Sequence, residues 1–151
     1  MPEIKKILYS TDFSECSKEA LSYALALAAK FGAKIDLVHV IHEPVDITGF
    51  VMAHISFDVM EKEMAEAADK KLKIFCDENI KGYTEHETHI RKGVPYKEIT
   101  KAAEELDSDI IVLGTYGMTG VGHLFFGSTA ERVVRTSPIP VLTVKAKIHG
   151  L

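Results

Sequence analysis

The segment Asp109-Ile-Ile-Val-Leu-Gly-Thr-Tyr-Gly-Met-Thr-Gly-Val-Gly-His-Leu-Phe-Phe-Gly-Ser128 joins a short apolar run to five of the chain's ten glycines. The run Asp109–Leu113 is typical of a buried strand, and Thr129–Arg135 after the segment is typical of a helix. Glycine loses more conformational freedom on folding than any other residue, so this cluster indicates that something approaches the backbone closely. The segment therefore predicts a strand, a glycine-rich binding loop and a helix in succession.

Strand-like and helix-like patterns alternate over the rest of the chain as well. The predicted strands are Lys6–Ser10, Lys34–Ile41, Tyr83–Arg91, Asp109–Leu113 and Ile139–Lys145. The predicted helices run from Ser14 to Phe31, from about Ser56 to Asn79, from near Pro95 to Leu106, and over Thr129–Arg135. Five strands separated by four helices indicate a parallel sheet with helices on both faces.

Local signals define the helix ends and the side chains that face the core. Ser14 is a suitable N-cap, Gly32 a suitable stop, and Pro95 suits a first helical turn. A loop containing Pro44 and Gly49 is expected after the second strand. Helical spacing predicts these core-facing residues: Ala20, Ala24, Leu27 and Phe31 in the first helix, Met60, Met64, Ala67, Ala68 and Phe75 in the second, and Ile99, Ala102, Ala103 and Leu106 in the third.

Bulk composition is that of a globular protein, with 46% hydrophobic and 26% charged residues among 151. A net charge of −4 with no basic patch argues against a nucleic-acid surface. Cys16 and Cys76 are far apart in sequence and are expected to be reduced thiols. The sequence shows no signal peptide and no apolar run long enough for a membrane span, so we expect a cytoplasmic protein without membrane contact.

The glycine-rich loop lies where open parallel sheets bind ligands, after the carboxyl end of a strand and before a helix. Free N–H groups and the helix dipole favour an anion there, which indicates a phosphate cradle rather than a solubilising surface loop. Neither common phosphate motif fits. Gly117 and Gly122 have P-loop spacing, but His123 and Leu124 follow, and Phe125 breaks the dinucleotide fingerprint begun by Gly120.

The spacing that does fit is G-x-x-G, nine residues, then G-[ST], which Gly114, Gly117, Gly127 and Ser128 match throughout. In this the sequence resembles the universal stress protein family, in its nucleotide-binding branch. Further segments that resemble the family's first strand and turn, second strand, last helix and last strand are Tyr9–Ser14, Val38–Val40, Ala130–Arg135 and Pro138–Val144. The resemblance covers nearly the whole chain.

The resemblance implies one domain over residues 1–151, with a Rossmann-like, adenine nucleotide alpha hydrolase-like sheet of order 3-2-1-4-5. It also implies ATP, or AMP or ADP, in the crevice between the first and fourth strands, with Mg²⁺ or Mn²⁺ as an accompanying ion. The residues it assigns are Ser10, Thr11 and Asp12 beside the adenosine, Val40 at the adenine, Gly114, Thr115, Tyr116, Gly117, Met118, Thr119 and Gly120 around the ribose and phosphates, and Gly127, Ser128, Thr129 and Ala130 at the phosphate tail.

Two interpretations of Asp12 stay open. It approaches the cation, or it is a turn residue that bonds its own backbone. Three positions depart from the family pattern: Ser10 for proline, Tyr116 for histidine or serine, and Met118 for lysine or arginine.

The expected function is adenine-nucleotide binding in a regulatory or sensor role. The alternatives are a slow ATPase that uses Asp12 with a cation, and an interaction protein with an empty crevice.

Two pairs of histidines lie on predicted strands. His39 and His42, like His86 and His89, are three residues apart on predicted strands, which directs the two rings to opposite faces and makes poor metal sites.

The last strand is apolar and lies at the sheet edge in the family, where an exposed edge invites pairing with another chain. We therefore expect a homodimer in which Val141 to Val144 meets its symmetry mate.

Overall fold

The computed structural model describes residues 1–43, 54–82, 85–116 and 126–147. Strands and helices alternate along them as predicted. The elements are β1 (Lys6–Ser10), α1 (Glu15–Phe31), β2 (Lys34–His42), α2 (His54–Asn79), β3 (His86–Gly93), α3 (Pro95–Glu105), β4 (Ile110–Gly114), α4 (Ser128–Thr136) and β5 (Val141–Val144). None of the described helices is both long enough and apolar enough to cross a membrane. The predicted loop with Pro44 and Gly49 lies outside the described residues.

The five strands form one parallel sheet in the order β3-β2-β1-β4-β5, which confirms the expected fold. Tyr9 in β1 is paired with Leu37 on one side and with Val112 on the other. From β1 the chain proceeds through α1 towards the β3 edge, whereas from β4 it proceeds through α4 towards the β5 edge. The two connections therefore diverge, leaving a crevice at the carboxyl ends of β1 and β4.

Alternate residues of the strands supply two cores, one on each face of the sheet. Ile7, Tyr9 and Leu37 are fully buried in the cluster shared with α1 and α2. Leu8 and Ile111 are fully buried in the cluster that packs against α3 and α4. Because both faces of the sheet are covered, the sequences of the central strands are nearly continuous runs of apolar residues.

The predicted ends of α1 are confirmed. The Ser14 hydroxyl accepts a hydrogen bond of 3.2 Å from the N–H of Ser17, which satisfies one of the free amides of the first turn. At the other end Gly32 adopts a left-handed conformation with φ 65°, and its N–H bonds to Ala28. Pro95 occupies the first turn of α3, where its missing N–H removes no helical bond.

Some core-facing predictions are wrong. Met60 and Met64 are 52% and 50% exposed, and Phe31 is 50% exposed. Ala67 is also exposed. Among the residues of α2 whose burial is described, the buried ones are Leu72, Phe75 and Cys76, so the helix contributes to the core through its last turns. Phe31 is the last residue of α1, directly before the Gly32 cap.

Strand limits differ from the predictions by a few residues. The third strand is predicted from Tyr83 but begins at His86, and residues 83 and 84 lie outside the described ranges. The fifth is predicted from Ile139 but begins at Val141. Pro140 precedes it and has no N–H for the ladder, although its carbonyl still accepts a 2.9 Å bond from Ile111.

Candidate functional site

The described residues assigned to the site lie at the carboxyl ends of the strands and at the start of α4. They are Ser10, Thr11 and Asp12 after β1, Val40 near the end of β2, Gly114, Thr115 and Tyr116 at the end of β4, and Gly127, Ser128, Thr129 and Ala130 at the start of α4. Gly117, Met118, Thr119 and Gly120 lie outside the described residues. The fold thus brings together four segments that are widely separated in sequence.

The β1–α1 turn is held by its own side chains. The Thr11 hydroxyl accepts a 2.9 Å bond from the N–H of Phe13, and Oδ1 of Asp12 accepts a 3.0 Å bond from the N–H of Ser14. The second bond is the turn role considered for Asp12 from the sequence. Phe13 has a φ of 67°, which is unusual for a residue with a bulky side chain. The turn is therefore strained and closely constrained.

Two glycines of the motif allow segments of backbone to pack closely. A Cβ on Gly114 would lie 2.8 Å from Sγ of Cys16 and 3.1 Å from its backbone. A Cβ on Gly127 would lie 3.0 Å from both the oxygen of Thr115 and Cα of Tyr116. The N–H of Gly127 also donates a 2.6 Å bond to Thr115. These contacts place the start of α1 and the start of α4 against the end of β4.

The start of α4 differs from that of α1 in how its amides are satisfied. Gly127 is the N-cap of α4, and no side-chain hydrogen bond caps the described helix. Ser128 is exposed and Thr129 half-buried, so two hydroxyls accompany the first N–H groups. Free amides at a helix N-terminus carry partial positive charge and bind anions. Of these two helix starts, that of α4 is the one suited to a phosphate.

Two side chains that sequence reasoning missed reach the β1–α1 turn from other elements. Nδ1 of His39 in β2 lies 2.8 Å from the carbonyl oxygen of Thr11. Nζ of Lys71 in α2 lies 4.5 Å from the ring centroid of Phe13. The sequence places His39 on a predicted strand and Lys71 within the second predicted helix, but no local pattern indicates that both meet one turn. The sheet order and the packing of α2 bring them there.

Beneath the turn, Tyr9 anchors the first turn of α1. Its hydroxyl donates a 2.6 Å bond to the carbonyl of Ser17, and the Ser17 and Thr11 hydroxyls are 2.9 Å apart. Burial raises the pKa of Tyr9, although hydrogen bonds with Thr11 and Ser17 act in the opposite direction. The phenol therefore stays protonated and acts as a structural donor.

A separate group of charged side chains joins β2 to the edge strand β3. The possible metal-ligating atoms of Asp36, Glu87 and His89 lie within 4.8 Å of one another. The ammonium of Lys34, however, contacts Asp36 at 3.2 Å and Glu87 at 3.0 Å. Its pKa is raised, first by the hydrogen bond to Glu87. The positive charge of this group is thus supplied by lysine.

A cavity of about 450 Å³ lies away from the crevice, between α2 and β3. Its lining residues are Lys73, Cys76, Asp77, His86, Glu87 and Thr88. Burial, with a smaller effect of Asp77, raises the pKa of the Cys76 thiol to about 11. A thiol with such a pKa is protonated at neutral pH and is a poor nucleophile. His86 lines this cavity, whereas His89 bonds to Asp36.

Comparison with known proteins identifies the family. The profile described as "Universal stress protein family" matches residues 3–145. The chain belongs to the universal stress protein family. Universal stress protein MJ0531 of Methanocaldococcus jannaschii is 38% identical over 147 residues, which cover 93% of this chain and 82% of that protein. The solved structure of MJ0577 has a TM-score of 0.83 and 33% identity, covering 97% of this chain and 99% of that one.

Two more distant structures share the fold and carry ligands. One is a universal stress protein in complex with cAMP, with a TM-score of 0.60, 22% identity and coverage of 95% of this chain and 98% of that one. The other is the universal stress protein from Archaeoglobus fulgidus in complex with dAMP, with a TM-score of 0.59, 22% identity and coverage of 96% and 100%. At this identity the likeness concerns the fold.

Proposed function

We propose that this universal stress protein binds an adenine nucleotide, ATP or its shorter forms ADP and AMP, in a regulatory or sensor role. The observation that carries the proposal is the N-terminus of α4, which no side chain of the described residues caps and which is held against the end of β4 by the bond from Gly127 to Thr115. It lies at the point where the connections from β1 and β4 diverge, the usual ligand position in open parallel sheets. Complexes of other proteins of this fold with cAMP and dAMP support the same class of ligand.

In this proposal each segment of the site contacts a different part of the nucleotide. Ser10, Thr11 and Asp12 border the adenosine, and the main chain of Val40 meets the adenine. The glycine-rich residues from Gly114 to Gly120 surround the ribose and phosphates. Residues 127–130 then bind the end of the phosphate chain through backbone amides and the Ser128 and Thr129 hydroxyls. Mg²⁺ or Mn²⁺ would be held mainly by phosphate oxygens, because one oxygen of Asp12 already bonds to Ser14.

The sharpest test removes the Ser128 hydroxyl. Ser128 is exposed, so Ser128→Ala should leave the fold unchanged while weakening ATP binding about tenfold, the effect of one lost hydrogen bond to a charged group. Thr136→Ala on the same helix is the control, since its hydroxyl bonds to Arg132 at the opposite end. Calorimetry with ATP and AMP measures both variants. Equal affinities for wild type and Ser128→Ala would remove the Ser128 hydroxyl from the site.

Two alternatives have their own readouts. Nucleotide released by denaturing freshly purified protein, identified by mass, separates a nucleotide-binding protein from an interaction protein with an empty crevice. A slow ATPase has less support, because the carboxylate of Asp12 is already engaged in the β1–α1 turn. Phosphate release by wild type above that of Ser128→Ala would favour the enzyme.

The proposal includes a homodimer formed through β5 and a cytoplasmic location. Val141, Leu142 and Thr143 are half-buried, and β5 forms an edge of the described sheet. An apolar edge of this kind is suited to pairing with its own copy. Cys16 and Cys76 are both free thiols, which fits a reducing compartment. Sedimentation as a monomer at micromolar concentration would contradict the dimer.

A further inference from the structure

His39 contacts the β1–α1 turn at two places. Its Nδ1 is 2.8 Å from the carbonyl oxygen of Thr11, and because that oxygen can only accept, Nδ1 carries a proton in this contact. Its ring centroid is 4.5 Å from that of Phe13, with the planes tilted by 42°. The imidazole therefore holds both the first residue of the turn and the residue in the left-handed conformation.

Phe13 links this imidazole to α2. Its ring lies 5.6 Å from that of Phe75 in an edge-on arrangement, and the Lys71 ammonium is 4.5 Å from its centroid. A left-handed conformation at a bulky residue costs about 1–2 kcal/mol and persists only where the surroundings determine it. The ring contacts of Phe13 and the bond from its N–H to Thr11 supply that constraint.

We propose that His39 is a positioning residue that makes nucleotide binding depend on pH through the β1–α1 turn. This inference rests on the proposed function, because the turn carries Thr11 and Asp12 into the proposed site. His39 itself need not touch the nucleotide. It acts by fixing the Thr11 carbonyl and the Phe13 ring, which together set the path of the backbone between β1 and α1.

The surroundings of the ring favour its neutral form. Burial lowers the pKa of His39 most, while the bond to Thr11 raises it. Among the described residues, the charged groups that act on the ring are Asp12 in the turn, which raises the pKa, and Lys71 on α2, which lowers it. A histidine with a lowered pKa in the folded state gives stability that is complete above its usual value of about 6.5 and is lost as pH falls below it. The native turn should therefore weaken in mild acid.

The test compares wild type with His39→Gln, whose amide can donate to Thr11 but cannot become charged. Between about pH 7.5 and about pH 5.5, ATP affinity measured by calorimetry should fall severalfold more in wild type than in His39→Gln, because only the imidazole can become charged in this range. The difference between the variants is the readout, because nucleotide phosphates also titrate near pH 6. His39→Leu, which lacks the donor, should bind weakly at both pH values.

His42→Gln on the same strand is the control and should keep the wild-type pH profile, since His42 is exposed. The His39 ring signal in proton NMR, assigned by its loss in His39→Gln, should titrate below about pH 6.5. Equal pH profiles for wild type and His39→Gln, or titration of His39 above that value, would overturn the inference and leave the proposed function standing. A protein that binds no adenine nucleotide at about pH 7.5 would overturn both.

Discussion

The two edges of the sheet are built differently. The β3 edge has eight residues, and its charged side chains are paired with other elements: Glu87 with Lys34, Arg91 with Glu105, and Lys92 with Glu43 and Glu61. The β5 edge has four residues, Val141–Val144, and none is charged. Charged side chains discourage an edge strand from pairing with another chain, whereas an apolar edge permits it. The difference indicates that β3 is protected from association and that β5 is available for it.

The β5 edge is also connected to the candidate site. Val144 is the register partner of Gly114, and its carbonyl accepts bonds from the N–H of Thr115 at 2.9 Å and from Sγ of Cys16 at 3.4 Å. The last residue of the proposed dimer strand thus touches β4 and α1 at the crevice. A ligand that orders this region would lie close to the proposed dimer surface, whereas the β3 edge lies two strands away.

The largest expected effect comes from a charge in β5. Thr143 is half-buried and belongs to neither core cluster, so Thr143→Asp should fold normally. In a symmetric pairing of two β5 strands the new carboxylates would lie close together, and such repulsion costs several kcal/mol. The dimer should weaken about a hundredfold, measured by sedimentation velocity.

Thr88→Asp places the same charge on the β3 edge and is the matched control. It should leave the sedimentation coefficient unchanged, because β3 takes no part in the proposed interface. A loss of dimer in Thr88→Asp, or a dimer retained in Thr143→Asp, would show that the two edges have been assigned the wrong roles.

The second prediction concerns the junction of β5 with the site. Gly114→Ala should destabilise the protein by about 2 kcal/mol, because its Cβ would lie 2.8 Å from Sγ of Cys16 in a packed region. Chemical denaturation measures the loss. Adding Cys16→Ala should restore part of it by removing the sulfur, and the remainder reflects the Cys16 backbone at 3.1 Å. An unchanged unfolding midpoint for Gly114→Ala would mean that the space between Gly114 and Cys16 can accommodate a methyl group.

Much of this fold could be predicted from the sequence, because its signals are local. The apolar runs at Lys6–Ser10 and Asp109–Leu113, the cap at Ser14 and the stop at Gly32 each report on a few neighbouring residues. The methionines of α2 show the limit of such signals. Helical spacing predicted that Met60 and Met64 share a face with Phe75, but it could not predict that only Phe75 of the three is buried.

The candidate site shows the same limit. The glycine motif marked Gly114 and Gly127, whose close contacts the structure describes. The group of Asp36 and His89 was missed, because its members are 53 residues apart and meet only through the pairing of β2 with β3. His39 and Lys71 were missed for the same reason, since they reach Phe13 from different elements.

The third prediction compares how much a buried and an exposed carboxylate stabilise the group that joins β2 to β3. Asp36 is 1% exposed and bonds to both Lys34 and His89. Asp36→Asn removes a charge without changing shape and should destabilise the protein by about 1.5 kcal/mol, the value of a hydrogen bond to a charged group. Glu87→Gln changes the exposed partner of the same lysine and should cost about 0.5 kcal/mol or less. Equal losses in thermal or chemical unfolding would show that burial does not strengthen the Asp36 contact.

The smallest expected effect on stability tests what the β3 charges are for. Arg91 and Glu105 form a 2.6 Å ion pair between β3 and α3, and Glu105 is 45% exposed. Arg91→Val should therefore change the free energy of unfolding by only about 0.5 kcal/mol, and less at high salt. The same substitution makes the β3 edge more like β5, so light scattering at high protein concentration should show increased self-association. A large loss of stability without added association would mean that the ion pairs of β3 hold the strand in place rather than protect its edge.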